Sequence, residues 1–497
     1  MKQLINVVKN YRPPKFVVYF VLLFPLLLCY SNNMKLDNDI WFLLNHGRYV
    51  LENGFTHIEP FTIHSNLAFV MQQWLSASIF WIIYKYLGEI GLRLLSVLIL
   101  FLITVVVHKL CMLISNNKFY LSSIITFIIT VSLSILFIVS RPQIFTYLIL
   151  ILELYFLELY IKNNNKKYLY PLPILSLLLI NLHASMWFML FLFMLPYLID
   201  SFKINFGFIK GEGYNNKPLF IVLVIMLAVG FINPYGIDAI MYVFNSYGVK
   251  QINLLVGEMK SLNILSFFGK FAYFLIFSVM FVYVFAKKGG LKLRYFLLFC
   301  GTVYLSISNC RSFALFIISS IFPLASYLES YFKVYVDRLS NWPKKMLIQL
   351  KVICCIFMIL GLVMFMFINA KKVNNNYNPE VYNSANYVLK NYKNDIVLYT
   401  GYNDGGYLQF LGYKTYLDPR AEVFLKANNK KSDIFIEYYN LQNNELNGYD
   451  FLNKYKFDVL ILDRDDVLNK YVNNYKIVYS DNYRSVFENI NNKREKN

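Results

Sequence analysis

Two carboxylates directly after the first apolar segment are the residues of this sequence best placed to do chemistry. Residues 15–31 are long and apolar enough to cross a bilayer, and Asp37-Asn38-Asp39 follows them closely. Charged side chains at a membrane face are costly, so their presence there indicates a function. A carboxylate in this place can act as a general base on an acceptor hydroxyl, or bind a divalent cation that neutralises a leaving phosphate.

The two aspartates are open to different interpretations. If a helix begins at Asp39, then Asp39, Leu43 and His46 share one of its faces. Asp37 would then be placed to cap that helix, which is a structural role. We therefore favour Asp39 as the catalytic base and keep Asp37 as a second catalytic candidate.

Composition identifies the chain as a polytopic membrane protein. It has 497 residues, of which 57% are hydrophobic, with a mean hydropathy of +0.45 and a formal net charge of +19. In a soluble protein that charge would suggest a nucleic-acid partner, but in a membrane protein Lys and Arg accumulate in cytoplasmic loops. The sequence has no nucleic-acid-binding motif, so we exclude that partner. Its six cysteines form no CxxC pair, which argues against a zinc site.

Hydropathy predicts eleven membrane spans, most of them near the ~20 residues that a bilayer requires. They are 15–31, 92–114, 119–139, 143–161, 169–182, 185–200, 218–233, 264–286, 293–308, 311–329 and 346–369. The segment 70–87 is ambiguous. If it spanned, the basic loops after it would lie outside, whereas as a juxtamembrane or re-entrant helix it leaves them in the cytoplasm. These loops are Lys162–Lys167, Lys203–Lys217, Lys287–Arg294 and Lys333–Lys345. We therefore predict a plasma-membrane protein with a cytoplasmic N-terminus and a first external loop over 32–91.

This topology places the polar side chains that interrupt the apolar pattern on the outer side. Arginine suits bidentate phosphate binding, so Arg141 and Arg311 are candidates to hold the phosphate of a lipid-linked substrate. The alternatives are snorkelling to lipid headgroups or an ion pair with Glu258. His183 either packs helices through a hydrogen bond or assists at the same phosphate. The positions on this side are Asp37, Asp39, Arg141, Gln143, Asn181, His183, Asn233, Glu258 and Arg311.

Residues 370–497 are rich in Asn, Lys, Asp and Tyr, and we predict a small extracytoplasmic α/β domain there after a transmembrane module over 1–369. Asn374–Asn378 is the expected boundary. The motifs Asn403–Tyr407 and Asp418–Glu422 are either a turn with a local ion pair or part of a ligand site. The predicted strands are Asp395–Thr400, Tyr413–Leu417, Asp458–Asp463, Tyr475–Tyr479 and Ser485–Glu488, and the predicted helices are Asp433–Leu441 and Tyr449–Tyr455.

The segment from Asp39 to Gly54, with Gln73-Trp74-Leu75 after it, resembles the first external loop of GT-C glycosyltransferases. More closely, the chain resembles the bacterial protein-mannosyltransferase-like and aminoarabinose-transferase-like branch. In those enzymes an aspartate stands nine residues before an arginine, as Asp39 and Arg48 do. Where that branch tends to carry an acidic residue before the tryptophan, this chain has Gln73.

The resemblance implies a GT-C fold of about eleven transmembrane helices, and an external active site with Asp39 as the base. It implies transfer of a sugar from a polyprenyl-phosphate donor to a glycan, lipid or protein acceptor. The substrate-binding candidates are Arg48, Gln73, Arg141, His183, Glu258 and Arg311. A divalent cation, Mg²⁺ or Mn²⁺, stays open as a cofactor. The alternatives are a lipid-linked-oligosaccharide flippase or transporter, a surface-polysaccharide polymerase or ligase, and a non-catalytic assembly protein.

Overall fold

The computed structural model describes residues 15–33, 36–246, 248–285, 290–329 and 380–491. Up to residue 329 it is mainly helical. The helices are α1 (Lys15–Asn32), α2 (Asp39–Asn53), α3 (Trp74–Ile114), α4 (Phe119–Leu136), α5 (Gln143–Asn163), α6 (Pro171–Leu182), α7 (Phe188–Asp200), α8 (Lys217–Val229), α9 (Ile237–Ser246), α10 (Lys250–Leu255), α11 (Phe267–Phe285), α12 (Leu293–Ser308), α13 (Phe313–Ser320) and α14 (Leu324–Tyr327). The predicted span 346–369 and the predicted linker Asn374–Asn378 lie outside the described residues.

Six helical segments of the described part are long and apolar enough to cross a membrane. Shorter apolar helices occupy 184–200, 217–229 and 293–308. Every predicted span within the described residues coincides with an apolar helix, but the sidedness of the loops stays a prediction. The six segments are Lys15–Asn32, Trp74–Ile114, Phe119–Leu136, Gln143–Asn163, Phe267–Phe285 and Cys310–Tyr327.

Helix α3 is broken at Gly88, between the ambiguous segment 70–87 and the span predicted from residue 92. Gly88 has φ +60° and ψ −153°, a conformation that glycine adopts without the steric penalty of a Cβ atom. The chain therefore changes direction where a juxtamembrane helix would join a membrane span. The position of the first segment at the membrane interface stays a prediction.

Several hydroxyl side chains inside the apolar helices are satisfied within their own helix. Thr126 donates a hydrogen bond to the carbonyl of Ser122 at 2.7 Å, and Thr130 donates to the carbonyl of Thr126 at 2.9 Å. An unpaired hydroxyl in hydrocarbon would be costly. The bond to the carbonyl four residues earlier removes that cost, so these helices keep polar residues without a polar neighbour.

Helix α2 carries Asp39 and packs closely against the start of α3. A Cβ atom at Gly47 would lie 2.1 Å from the carbonyl oxygen of Ala77, so only glycine permits this approach. Asn38 occupies the N-cap position and makes no side-chain cap bond. Asp37 Oδ1 instead accepts a hydrogen bond from the Asp39 amide at 3.0 Å. Asp37 therefore satisfies a free amide of the first turn, in the structural role weighed for it.

Residues 380–491 form an α/β unit around a four-stranded mixed sheet. Its strands are β4 (Leu398–Thr400), β5 (Val459–Asp463), β6 (Tyr475–Ser480) and β7 (Arg484–Asn489), numbered after three two-residue strands, β1 (Asn205–Phe206), β2 (Ile209–Lys210) and β3 (Leu291–Lys292). The order is β4-β5-β7-β6, with only β4 and β5 parallel. The helices are α15 (Tyr382–Asn391), α16 (Gly405–Phe410), α17 (Lys426–Asn429), α18 (Ile434–Gln442) and α19 (Gly448–Tyr455).

The strand predicted over Tyr413–Leu417 is wrong. Only Thr415 forms isolated bridges, one to Leu398 and one to Thr62 of the first external loop. The hydroxyl of Thr415 accepts a hydrogen bond from Gln409 at 2.9 Å, and such local side-chain bonds compete with a regular ladder. The segment instead links the C-terminal sheet to the loop between α2 and α3.

A buried ionic cluster lies at the N-terminal end of α12. Arg311 follows the C-terminal end of the same helix. Arg294 is 1% exposed and contacts three carboxylates. Its nitrogens lie 2.9 Å from Glu158, 2.7 Å from Asp200 and 2.7 Å from Glu212. The cluster ties α5, α7 and the following loop to α12.

Candidate active site

A cavity of about 90 Å³ opens beside the N-terminus of α2. Asp39, Leu43 and His46 line one wall of it from a single helical face, as the 3.6-residue period predicts. The other walls come from the start of α3, from the ends of further helices and from the C-terminal unit. They include Gln72, Gln73, Gln143, Tyr242, Pro419 and Glu422.

Arg141 gathers the acidic residues of the site around one guanidinium. Its Nη2 lies 2.6 Å from Asp37, its Nε 3.3 Å from Asp39 and its Nη1 2.9 Å from Glu258. Burial lowers the pKa of Arg141, but the three carboxylates raise it further, so the net shift is upward and the guanidinium stays charged. The ion pair with Glu258 is therefore present. Nη1 and Nη2 of Arg141 donate hydrogen bonds to carboxylates, whereas its buried Nε makes no hydrogen bond within the described residues.

The Asp39 carboxyl has a pKa close to neutral pH. Burial raises its pKa to about 7, Arg141 opposes that rise, and Asp37 adds to it. The side chain is still 26% exposed, so a substrate hydroxyl can approach it. A carboxylate with a pKa near neutrality is suited to accept a proton at physiological pH.

Arg311 lies where this cavity meets a second cavity of about 340 Å³. Its Nε is 4.0 Å from Glu258, a long ion pair, and its side chain is 32% exposed. Gln143 accepts from the guanidinium when its amide oxygen faces Arg311. Arg311 therefore has fewer close protein partners than Arg141 and more donors available to a ligand.

The second cavity is largely apolar and continuous with the first. Met186, Met189, Ile252, Leu305 and Leu315 contribute to its wall. Seven residues line both cavities, namely Gln72, Gln143, His183, Ser185, Tyr242, Arg311 and Glu422. The polar cavity near Asp39 and the apolar cavity therefore meet at a junction that carries one arginine and one glutamate.

His183 has both of the roles considered for it. Its Nδ1 shares a hydrogen bond of 2.8 Å with Thr146, which packs two helices together. Its ring also lines the junction. Burial, and secondarily the charge of Arg311, lower its pKa to about 3, so the imidazole is neutral. A neutral His183 can form a hydrogen bond with a ligand but supplies no positive charge.

The C-terminal unit is fixed to α2 and to the loop between α2 and α3 through Arg420. This guanidinium donates to Glu59 at 2.8 Å and forms an ion pair with Asp418. It also donates to His46 Nε2 at 3.0 Å, which places the ring proton of His46 on Nδ1. Burial and the charge of Arg420 hold the pKa of His46 well below its ordinary value, so His46 cannot serve as a base. The Asp418–Glu422 motif is thus part of the cavity wall.

Some predicted site residues do not reach the two cavities. Arg48 donates to Asn45 at 2.8 Å and to the carbonyl of Phe410 at 3.0 Å, so it joins α2 to the C-terminal unit rather than binding substrate. The hydrogen bond from Arg48 to the carbonyl of Phe410 could not be predicted from local sequence spacing, because the two residues are 362 positions apart. Asp37 and Glu258 line neither cavity and act on the site through Arg141.

Several lining residues were not singled out as site residues by the sequence, and four of them are discussed here: Gln72, Gln143, Tyr242 and Glu422. Gln143 and Glu422 stand inside motifs that were noticed, Arg141-Pro142-Gln143 and Asp418–Glu422, so a signal existed for both. Gln72 and Tyr242 have no local signal, because a glutamine and a tyrosine near a membrane face are common.

The acidic residues of the site do not fit a divalent cation. Within the described ranges, no group of three His, Cys, Asp or Glu side chains is arranged to hold a metal ion. Asp37, Asp39 and Glu258 converge on the guanidinium of Arg141 instead. We therefore derive no step through a metal.

Comparison with known proteins gives matches only among solved structures. No protein-family model and no curated protein matches the chain. The apo structure of the oligosaccharyltransferase AglB from Archaeoglobus fulgidus aligns with a TM-score of 0.57 at 12% identity, covering 96% of this chain and 74% of that one. AglB in complex with an inhibitory peptide and a dolichol-phosphate aligns with a TM-score of 0.56 at 10% identity and the same coverage.

The second similar protein is ArnT from Cupriavidus metallidurans, solved bound to undecaprenyl phosphate. It aligns with a TM-score of 0.54 at 12% identity, covering 96% of this chain and 99% of that one. AglB and ArnT are both membrane glycosyltransferases of the GT-C superfamily. Identities this low show the fold alone. The chain has the GT-C fold of membrane glycosyltransferases, as its motifs predicted.

Proposed function

We propose that the protein transfers a sugar from a polyprenyl-phosphate donor to an extracytoplasmic acceptor, with Asp39 as the general base. One observation carries this proposal: a cavity containing a carboxylate with a pKa near neutrality is continuous with a larger apolar cavity, and Arg311 stands at their junction. An apolar tail, a phosphate and a sugar are the three parts that such an arrangement accommodates.

Similar structures support the lipid-phosphate donor. ArnT was solved with undecaprenyl phosphate and AglB with a dolichol-phosphate, and both share this fold. The apolar cavity, of about 340 Å³, has room for the first part of such a chain and leaves the remainder to the bilayer.

The proposed reaction is an inverting displacement at the anomeric carbon. Asp39 takes the proton of the acceptor hydroxyl, and the acceptor oxygen forms a bond to that carbon. The bond from the carbon to the phosphate oxygen breaks, and the lipid phosphate leaves with the electron pair. Arg311 stabilises the charge that develops on the phosphate. Arg141 holds Asp39 in place and is a positioning residue.

The experiment that tests this function is sugar transfer by membranes containing the protein. Radiolabelled undecaprenyl-phosphate hexoses are supplied, and both the labelled product and the released undecaprenyl phosphate are measured. Product that forms with an equal amount of released lipid phosphate supports the proposal. If the purified protein binds no undecaprenyl phosphate and releases none from any hexose donor, the proposal is wrong.

The pH dependence of transfer is expected to follow Asp39. A base works only when deprotonated, and burial raises the pKa of Asp39 to about 7, so kcat/KM should rise with pH through about 7 and then level off. An Asp39→Glu variant that retains activity should show the same rising limb with a shifted midpoint. A flat profile between pH 5 and 8 in the wild-type protein would contradict a base with this pKa.

Replacement of Arg311 is expected to weaken the donor complex. Arg311→Gln removes charge-assisted hydrogen bonds worth about 1.5–3 kcal/mol, so the Kd for undecaprenyl phosphate should rise by roughly 10- to 100-fold. Arg141→Gln, in contrast, should lower kcat with a smaller effect on this Kd, because three carboxylates of the protein already surround the Arg141 guanidinium. Arg464→Gln, on an exposed arginine of the C-terminal unit, is the matched control. An unchanged Kd in Arg311→Gln would remove Arg311 from the phosphate site.

A further inference from the structure

Glu422 is a carboxylate that the C-terminal unit delivers to the junction of the two cavities. Among the described residues, no side chain donates a hydrogen bond to it. Its neighbours in the same motif differ, since Asp418 accepts from Arg420 and from Gln409. A carboxylate can accept about four hydrogen bonds, and among the described residues only the backbone amide of Glu422 itself bonds to this one. Glu422 is therefore placed to receive hydrogen bonds from a ligand.

The backbone around Glu422 is held rigidly. It lies in a 3-10 turn over Ala421–Phe424, in which every other side chain is buried. The side chain of Asn428 donates to the carbonyl of Glu422 at 2.9 Å, and that of Asn429 donates to the carbonyl of Val423 at 3.1 Å. A group fixed before the ligand arrives loses little entropy on binding, which suits a residue that selects a substrate.

The surroundings of Glu422 indicate what kind of ligand group it meets. Arg311 stands at the same junction and attracts the carboxylate without a bond between them. Gln72 lines both cavities as well, and within the described ranges its buried Oε1 accepts no hydrogen bond. Two acceptors thus face the space next to the proposed phosphate site. The group joined to the phosphate of a lipid-linked donor is a sugar, and its hydroxyls are the donors that such acceptors require.

We propose that Glu422, assisted by Gln72, accepts hydrogen bonds from hydroxyl groups of the donor sugar and determines which sugar the protein uses. This inference rests on the proposed function. It makes the C-terminal unit a part of the substrate site, because Arg420 ties Glu422 to the external loop through Glu59 and His46.

The test compares binding of a bare lipid with binding of its glycosylated forms. Kd values are measured for undecaprenyl phosphate and for undecaprenyl-phosphate-glucose, -galactose and -mannose. We expect the wild-type protein to bind at least one glycosylated lipid about tenfold or more tightly than the bare lipid. Glu422→Gln should bring that ratio close to one while the Kd for undecaprenyl phosphate stays unchanged. Gln72→Ala, on a different element, should reduce the same ratio. Glu445→Gln, exposed in the same unit, should change neither value.

The outcomes separate this inference from the function on which it rests. Binding of undecaprenyl phosphate with an unaltered sugar preference in Glu422→Gln would overturn the inference alone. A wild-type protein that prefers none of the three sugars over the bare lipid, or equal losses for bare and glycosylated lipid in Glu422→Gln, would also overturn it. A wild-type protein that binds none of the four lipids would overturn the proposed function as well.

Discussion

Replacement of Asp39 by asparagine is expected to reduce sugar transfer by about 10²–10⁴-fold, because an amide cannot take the proton of the acceptor hydroxyl. The substitution keeps the size of the side chain, and Arg141 keeps two carboxylate partners, Asp37 and Glu258. Binding of undecaprenyl phosphate should therefore persist. Single-turnover transfer and lipid binding, measured on the same preparation, separate a loss of chemistry from a loss of folding.

Two further aspartate variants sharpen this test. Asp238→Asn, at an exposed aspartate of α9, removes a carboxylate outside both cavities and should leave transfer unchanged. Asp37→Asn should cause a smaller loss than Asp39→Asn, since Asp37 orients the Asp39 amide and Arg141 without lining the cavity. Transfer at the wild-type rate by Asp39→Asn would exclude Asp39 as the base. A larger loss in Asp37→Asn would make Asp37 the catalytic carboxylate.

Local periodicity explains which parts of this site could be predicted from the sequence. Asp39, Leu43 and His46 share a face because an α-helix brings residues three and four apart together, and all three line the cavity. The membrane helices could be predicted from the length of apolar sequence, because each is one continuous segment of the chain. The ion pair between Arg141 and Glu258 could be offered only as one of several alternatives. The two residues are 117 positions apart, so no local sequence pattern connects them.

Contacts between the external loop and the C-terminal unit were beyond the sequence. Arg420 reaches Glu59 across 361 residues and His46 across 374, and nothing in either segment specifies the partner. The missed strand has the same cause. Tyr413–Leu417 has strand composition, but Thr415 pairs with the external loop and with only one residue of the sheet. Tertiary contacts determined the structure in both cases. They overrode the strand propensity of Tyr413–Leu417, and they joined Arg420 to partners that local propensity does not specify.

Arg294 shows how counting the charged residues of each loop can mislead a prediction of membrane topology. The positive-inside argument treats Arg294 as one more cation of a cytoplasmic loop. In the structure it is buried, and it neutralises carboxylates from three other parts of the chain. Arg294 is therefore expected to contribute little to sidedness, and its removal would leave those carboxylates without this cation.

Replacement of Arg294 by methionine is expected to destabilise the protein by about 3–5 kcal/mol, the usual cost of removing one partner from a buried ion pair. Glu158 and Asp200, with side chains 5% and 0% exposed, would lose their cation. Among the carboxylates of this cluster, Lys292 forms an ion pair with Glu212, at 2.8 Å, and with neither of the other two, so it does not replace Arg294 there. A lower melting temperature in detergent, followed by intrinsic fluorescence, is the measurement. Arg464→Met, at an exposed arginine, is the control.

A combined variant decides whether unpaired charge is the cause. If the penalty comes from buried carboxylates without a cation, then adding Glu158→Gln and Asp200→Asn to Arg294→Met should recover much of the melting temperature, because amides are less costly to bury than charges. If the penalty comes from lost packing of the guanidinium, which lies 4.7 Å from the ring centroid of Tyr295, the combined variant should be no more stable than Arg294→Met alone. A melting temperature in Arg294→Met equal to that of the wild-type protein would show that the cluster contributes nothing to stability.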